Sequence, residues 1–451
     1  MKTGNIFNWS VVVALAGFLF GFDTVVISGA DQTLQELWGT SALFHGTVVM
    51  SMALWGTVIG AIFGGIPTDK LGRKKTLFWI GVLYTVSAVG SAVVSDPYLF
   101  SFFRFIGGLG VGASTVAAPT YISEIAPASR RGRLVALYQF NLVFGILMAF
   151  ISNYLISQAG LGDDAWRWMI GMEAFPAFVY TLLTFGVPNS PRWLAIYKGD
   201  EAEANRILTI INKESDEPTS LAQILEDTDK AERKESIFDA KYKFPLLLAF
   251  LIAFFNQVSG INAFLYYAPR LFKEAGLEES SALLSSIGIG ITNLIFTMLG
   301  LILIDRLGRK TLMYIGSVGY IFSLSMVAVS FFLGLKGMAV PGFLFVFIAS
   351  HAIGQGAIIW VFISEIFPNH LRASGQSFGS STHWVLAALI TMFMPRVLTA
   401  VSNPGYVFVF FAVMMVFQLL FVWKTMPETK GISLEKLEEI LTRKEKANIN
   451  A

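Results

Sequence analysis

The chain has 451 residues, 54% hydrophobic and 14% charged, with a formal net charge of +2 and a mean hydropathy of +0.62. Soluble domains carry roughly a quarter charged residues, so most of this surface faces something other than water, and so small a charge argues against a nucleic-acid partner. Cysteine is absent and the four histidines (His45, His351, His370, His383) lack metal-ligand spacing, which excludes disulfides, iron–sulfur clusters and thiol nucleophiles and gives no sign of a metal site.

The first apolar run, from about Trp9 to Ala30, lacks a small-residue cleavage site and reads as a membrane helix rather than a removable signal. A spanning helix needs about 20 mostly apolar residues. Further runs follow near 46–66, 76–95, 98–121, 135–157 and 168–187, then near 244–267, 281–304, 311–333, 341–363, 376–400 and 405–424. Twelve spanning helices are therefore predicted, since runs this long and continuous do not suit barrel strands. Lys70, Arg73, Lys74 and Lys75 follow the second run, Arg130, Arg131 and Arg133 the fourth, and Arg306, Arg309 and Lys310 the eighth. All fall on the side shared by the termini, so both ends are expected in the cytoplasm.

Residues 1–188 and 244–430 are expected to form two six-helix bundles. Between them, residues 189–243 are the one substantial polar stretch, and DEAEANRILTIIN within it has apolar residues at helical spacing, so short amphipathic helices are predicted on the cytoplasmic face. Residues 431–451 are expected to be a cytoplasmic tail.

An internal repeat is visible. Asp69, Gly72, Arg73 and Lys74 recur as Asp305, Gly308, Arg309 and Lys310, each at an offset of 236. Ser123, Glu124, Ile125, Pro127 and Arg131 recur as Ser364, Glu365, Ile366, Pro368 and Arg372, each at an offset of 241. Two motifs in the same order in each half fit a parallel-repeat transporter. Asp69, Arg73, Glu124 and Arg131, with Asp305, Arg309, Glu365 and Arg372, are candidate gating ion pairs at cytoplasmic helix ends, placed to lock the halves and release them.

The segments GGIPTDKLGRKK (64–75), RFIGGLGVG (104–112), PTYISEIAPASRRG (119–132), VPNSPRWL (187–194), NQVSGINAFLYYAP (256–269), DRLGRK (305–310), ISEIFPNHLR (363–372) and MPETKG (426–431) resemble the sugar porter family of the major facilitator superfamily. The resemblance implies an all-α membrane protein with twelve transmembrane helices in two pseudo-symmetric bundles, alternating access, and a monosaccharide or polyol substrate. Some positions depart from the family pattern: Asn189 stands where Glu is usual, Asn256 precedes Gln257 where Gln-Gln is common, GQGAIIW (354–360) lacks prolines around its tryptophan, and His383 precedes Trp384 where an amide is usual.

A sugar in a dry site needs amides, each with donors and an acceptor, and an aromatic plate. Candidates are Gln139 on the fifth run, Asn256, Gln257 and Asn262 on the seventh, and Asn293 on the eighth, with Phe20, Trp360 and Trp384 as stacking surfaces and His383 beside them. Ser259 and Gly260 between Gln257 and Asn262 suggest a local break that turns both inward.

Asp23 and Arg104 stand inside apolar runs, and an intramembrane ionisable residue marks a functional site by default. They are expected to pair when Asp23 is ionised and to part when it takes a proton, with Glu173 a second member of the relay. The resemblance implies the same, because proton-coupled members carry Asp here and uniporters commonly Asn. The leading expectation is a proton-coupled monosaccharide symporter, with a passive sugar or polyol uniporter and a non-transporting sensor as alternatives. No nucleophile–base set or nucleotide loop is present, so neither an enzyme nor a cofactor is expected. A monomer in the bilayer of a bacterial cytoplasmic membrane is.

Overall fold

The computed structural model describes residues 5–127, 130–213, 218, 220–229, 235–368, 370–432 and 436–441. Among the described residues, twelve helical segments are long and apolar enough to cross a bilayer. In order they are Asn5–Gly29, Ala42–Phe63, Arg73–Val93, Pro97–Ile125, Arg131–Ser157, Gly162–Gly186, Ala240–Glu274, Glu279–Leu307, Arg309–Phe332, Ala339–Ile366, Arg372–Ala400 and Gly405–Lys424. They match the apolar runs to within a few residues, the main difference being the seventh, which continues to Glu274. The chain divides into two compact units, one of residues 1–38 and 48–233, the other of residues 39–47 and 234–451.

In the first unit the spans pair closely because small residues let backbones approach. A Cβ on Gly108 of the fourth span would stand 1.9 Å from the Ala53 carbonyl oxygen of the second. Asp96 starts the fourth span, its carboxylate accepting from the Tyr98 and Leu99 N–H groups at 3.0 and 2.9 Å, with Pro97 at the first helical position. That helix carries Arg104 as its eighth residue, fully buried. After the sixth span lie the helices Glu201–Asn212 and Leu221–Asp229. The first buries Ala204, Ile207, Leu208 and Ile211, a stripe of helical period. Part of the stretch that follows, residues 230–234, lies outside the described residues, as do 433–435 and 442–451 of the tail.

In the second unit two spans are interrupted, and both interruptions sit beside polar groups. The seventh consists of helices Lys243–Gln257 and Ile261–Glu274, joined at Gly260 with φ of +88°. A side chain there would be strained by its own backbone and would stand 2.9 Å from the Phe264 and Phe411 rings. The tenth is divided at Gly354 into Ala339–Ile353 and Gln355–Ile366. Residues 39–47, which open the second span, belong to this unit, where a Cβ on Gly46 would lie 2.0 Å from the Met392 carbonyl oxygen of the eleventh.

Candidate functional site

The first unit brings three charged residues of its spans together. Asp23, Arg104 and Glu173, from the first, fourth and sixth spans, are 1%, 0% and 1% exposed. Arg104 donates through Nη1 to Asp23 Oδ1 and through Nη2 to the Asp23 backbone carbonyl at 3.0 Å. The Glu173 carboxyl interacts with both Asp23 and Arg104, and its Oε1 accepts no hydrogen bond among the described residues. One guanidinium balances one carboxylate, so a second carboxyl in the same dry space is balanced only when it carries a proton. Phe20 lies one turn before Asp23 and is 7% exposed. Gln139 on the fifth span is half-buried, and its side chain makes no hydrogen bond among the described residues.

The second unit gathers neutral hydrogen-bonding groups. The break at Gly260 lets Asn262 turn back, and its Nδ2 donates to Gln257 Oε1 at 2.8 Å. Gln257 Nε2 donates to Asn256 Oδ1 at 3.0 Å and faces the His383 ring, 3.1 Å from either nitrogen. His383 is flanked by Trp360 and Trp384, with ring centroids 5.1 and 4.7 Å away. Gln376 on the same span donates to the Trp360 carbonyl at 2.7 Å, tying the tenth span to the eleventh. Of the sequence-predicted residues here, six converge, while Asn293 on the eighth span accepts through Oδ1 from Thr297 Oγ1 of its own helix at 3.2 Å.

At the charged helix ends, Arg73 holds Glu124 through Nε and Nη2 at 3.0 and 2.9 Å, and Asp69 through Nη1 at 3.0 Å. The same arrangement recurs in the second unit, where Arg309 reaches Glu365 at 2.7 Å and Asp305 at 3.2 Å. Each pairing joins helices of one unit rather than spanning from one half to the other, because the turn at Gly72 or Gly308 brings the Arg back beside the Asp four residues before it, and the Arg meets the Glu at the end of a neighbouring span in its own bundle. Asp305 is 80% exposed, so Glu365 is the stronger partner. Arg131 is exposed and joins no ion pair among the described residues, whereas Arg372 donates through Nε to the Ser364 carbonyl at 2.9 Å.

Sequence reasoning gave no role to Glu428, although it stands in the quoted MPETKG segment. Its carboxylate accepts from the N–H groups of Arg309 and Lys310, both at 2.9 Å, at the start of the ninth span, and from Thr429 and Lys430, both at 3.0 Å. Partial burial works to raise this carboxyl, but the four backbone donors outweigh it and hold it below the ordinary carboxylate range. Thr429 Oγ1 adds a 2.6 Å bond to Glu365, linking the motif to the Arg309 cluster. A further contact was not foreseen: Glu235 is bonded by Lys241, Tyr242 and His370 at 2.8, 2.7 and 2.9 Å. The Lys241 ammonium, with help from the other two donors, pushes the Glu235 carboxyl down to about 2.

A family profile described as sugar (and other) transporter matches residues 9–441. The chain belongs to the sugar porter family of the major facilitator superfamily. As a sugar porter it is a multi-pass membrane transporter and not an enzyme, and its twelve helices form the major facilitator fold. It is 36% identical to an arabinose-proton symporter of Bacillus subtilis, over 97% of this chain and 95% of that one. It is 34% identical to a D-xylose-proton symporter of Escherichia coli, over 97% of this chain and 96% of that one. The inward-open structure of the xylose transporter XylE from Escherichia coli matches with a TM-score of 0.84 at 31% identity, covering 96% of this chain and 99% of that one.

Proposed function

We propose that this sugar porter is a proton-coupled symporter that imports a pentose or hexose by alternating access across a bacterial cell membrane, with both termini cytoplasmic, as a monomer. The observation that carries the reading is the buried Asp23–Arg104 contact with Glu173 beside it. A carboxyl whose partner is a buried guanidinium is held ionised or released according to whether it carries a proton. Gain and loss of that proton are the step that couples the gradient to transport. The names of relatives similar over nearly the whole chain, which are proton symporters for arabinose and xylose, support the same reading.

The sugar is met by Gln139, Asn256, Gln257, Asn262 and Asn293, with Phe20, Trp360 and Trp384 as apolar plates and His383 beside them. These groups carry no charge when the ring is neutral, which suits a ligand made of hydroxyls and C–H faces. The Arg73 and Arg309 clusters, with Arg131 and Arg372 at the starts of the fifth and eleventh spans, act as cytoplasmic gate elements, and residues 189–243 join the two bundles formed by 1–188 and 244–430.

The test is uptake of labelled pentoses and hexoses into proteoliposomes, with and without an inward proton gradient, for the wild type and Asp23→Asn. Symport requires accumulation above equilibrium that depends on the gradient, and a variant that exchanges sugar without accumulating it. Uptake that only equilibrates in both proteins makes this a passive uniporter with a structural Asp23–Arg104 pair.

A further inference from the structure

The hydrogen-bond inventory of Gln257 is almost fully used. A glutamine amide has two N–H donors and a carbonyl with two lone pairs. One hydrogen goes to Asn256 at 3.0 Å and the other to the His383 ring at 3.1 Å. The carbonyl accepts from Asn262 at 2.8 Å. One lone pair on Oε1 is what remains for a ligand. His383 is 9% exposed and held between two indole rings, so the ring has little room to swing off the amide.

We propose that His383 is a positioning residue for the sugar site: by accepting an amide hydrogen of Gln257 it fixes the direction of that amide and leaves Gln257 able only to accept from the substrate. The sugar hydroxyl that meets Gln257 must then be the donor. This rests on the sugar-site reading above and adds to it a polarity for one subsite and an indirect role for the imidazole. An apolar side chain at 383 frees one Nε2 hydrogen and lets the amide turn. An amide at 383 still offers an acceptor and preserves the orientation.

The experiment measures uptake kinetics of a transported sugar in proteoliposomes for the wild type, His383→Leu, His383→Gln, Gln257→Leu and the double variant His383→Leu/Gln257→Leu. His383→Leu is expected to raise KM about tenfold, the usual consequence of one misplaced buried polar group, with Vmax changed by less than about twofold. His383→Gln recovers most of the lost KM. In the Gln257→Leu background, His383→Leu adds less than about twofold, because the side chain through which it acts is gone. Additive KM effects in the double variant overturn the proposal, since the ring then touches the sugar itself. Equal losses in His383→Gln and His383→Leu overturn it too.

A second measurement uses the wild type alone and is immune to misfolding. Analogues with each hydroxyl replaced in turn by hydrogen or fluorine are scored for binding. At one position fluorine is expected to lose as much as hydrogen, because fluorine cannot donate. Fluorine that holds affinity at every position overturns the acceptor assignment. A wild type that takes up no sugar saturably is a different outcome, which removes the sugar-site reading and this inference with it.

Discussion

Replacing Asp23 by Asn tests whether the buried charges form a three-membered set or a simple pair. Removing one partner of a buried ion pair costs about 3–5 kcal/mol, because the other charge is stranded. In Asp23→Asn the side-chain oxygen and the backbone carbonyl, now 3.0 Å from Arg104 Nη2, both persist as acceptors, so hydrogen bonds survive and the negative charge is lost. Glu173 interacts with the same guanidinium and can supply the missing charge. The single variant is therefore expected to lose only about 1 kcal/mol, and Glu173→Gln alone a similar amount or less, since the Asp23–Arg104 pair is intact. Asp23→Asn/Glu173→Gln should lose the full 3–5 kcal/mol or so. At roughly 2–4 °C per kcal/mol for units of this size, the singles melt within about 4 °C of the wild type and the double at least about 6 °C below it. Melting in detergent, followed by tryptophan fluorescence at one scan rate, reads the difference. A double variant whose loss equals the sum of the two singles refutes the three-membered set.

Three further outcomes follow from the charged helix ends. Glu428→Ala leaves the N–H groups of Arg309 and Lys310 without their 2.9 Å acceptor and should cost about 1–2 kcal/mol, read as a lower melting temperature; an unchanged melt refutes the cap. Asn189 holds the place in VPNS that Glu428 holds in MPET, so Asn189→Glu is expected to add about 0.5–1 kcal/mol at the Arg73 helix start, and a melt that falls counts against it. Because the Glu235 carboxyl is held down near 2 by Lys241 and its other donors, the unfolded chain binds more protons than the folded one in the acid range, so stability rises with pH there. The melting difference between wild type and Glu235→Gln should be present at pH 7, shrink as pH falls below the ordinary carboxylate value, and vanish near pH 2; a difference that grows on acidification contradicts it.

The spans were legible because a bilayer imposes length and apolarity on each segment independently, so Gly162–Gly186 or Gly405–Lys424 can be read with no knowledge of its neighbours. The break in the seventh span was legible for a local reason too, since Ser259-Gly260 interrupts an apolar helix. The Arg73 and Arg309 clusters, with their Asp and Glu members, could be read from the repeat, but that each pairing stays within one unit only from the fold. Glu428 shows why: its acceptor role depends on backbone groups 118 and 119 residues away, and a carboxylate that binds N–H groups leaves no complementary charge in the sequence. Glu235 and His370 lie 135 residues apart, with nothing periodic between them. Residues 39–47 carry no signal at all that they pack with the second unit, because a glycine-led helix start suits any close neighbour. His383 could be recognised as unusual, yet whether it faces a ligand or Gln257 is decided by the rotamer of one amide.

The repeat itself separates scaffold from chemistry. Shifting Asp23 by 236 to 241 residues lands on Ser259–Phe264, shifting Arg104 lands on Val340–Phe345, and shifting Glu173 lands on Val409–Met414, and none of these stretches holds a charge. The reverse shift takes Gln257 to Ala16–Gly21 and His383 to Leu142–Leu147, all without an amide or imidazole. The Arg–Glu clusters at the helix ends were thus kept in both halves, while Asp23, Arg104 and Glu173 in one half and Gln257 and His383 in the other have no like counterpart. The proposed function accounts for that difference by what a proton and a sugar each require. A proton can be carried only by a group whose charge changes, and such a group in a dry interior needs a counter-ion within reach. A sugar is held by amides whose hydrogen-bonding capacity is the same whether or not the proton is bound. On the proposed function, protonation of Asp23 in the first unit therefore leaves the hydrogen-bonding capacity of the amides around Gln257 in the second unchanged.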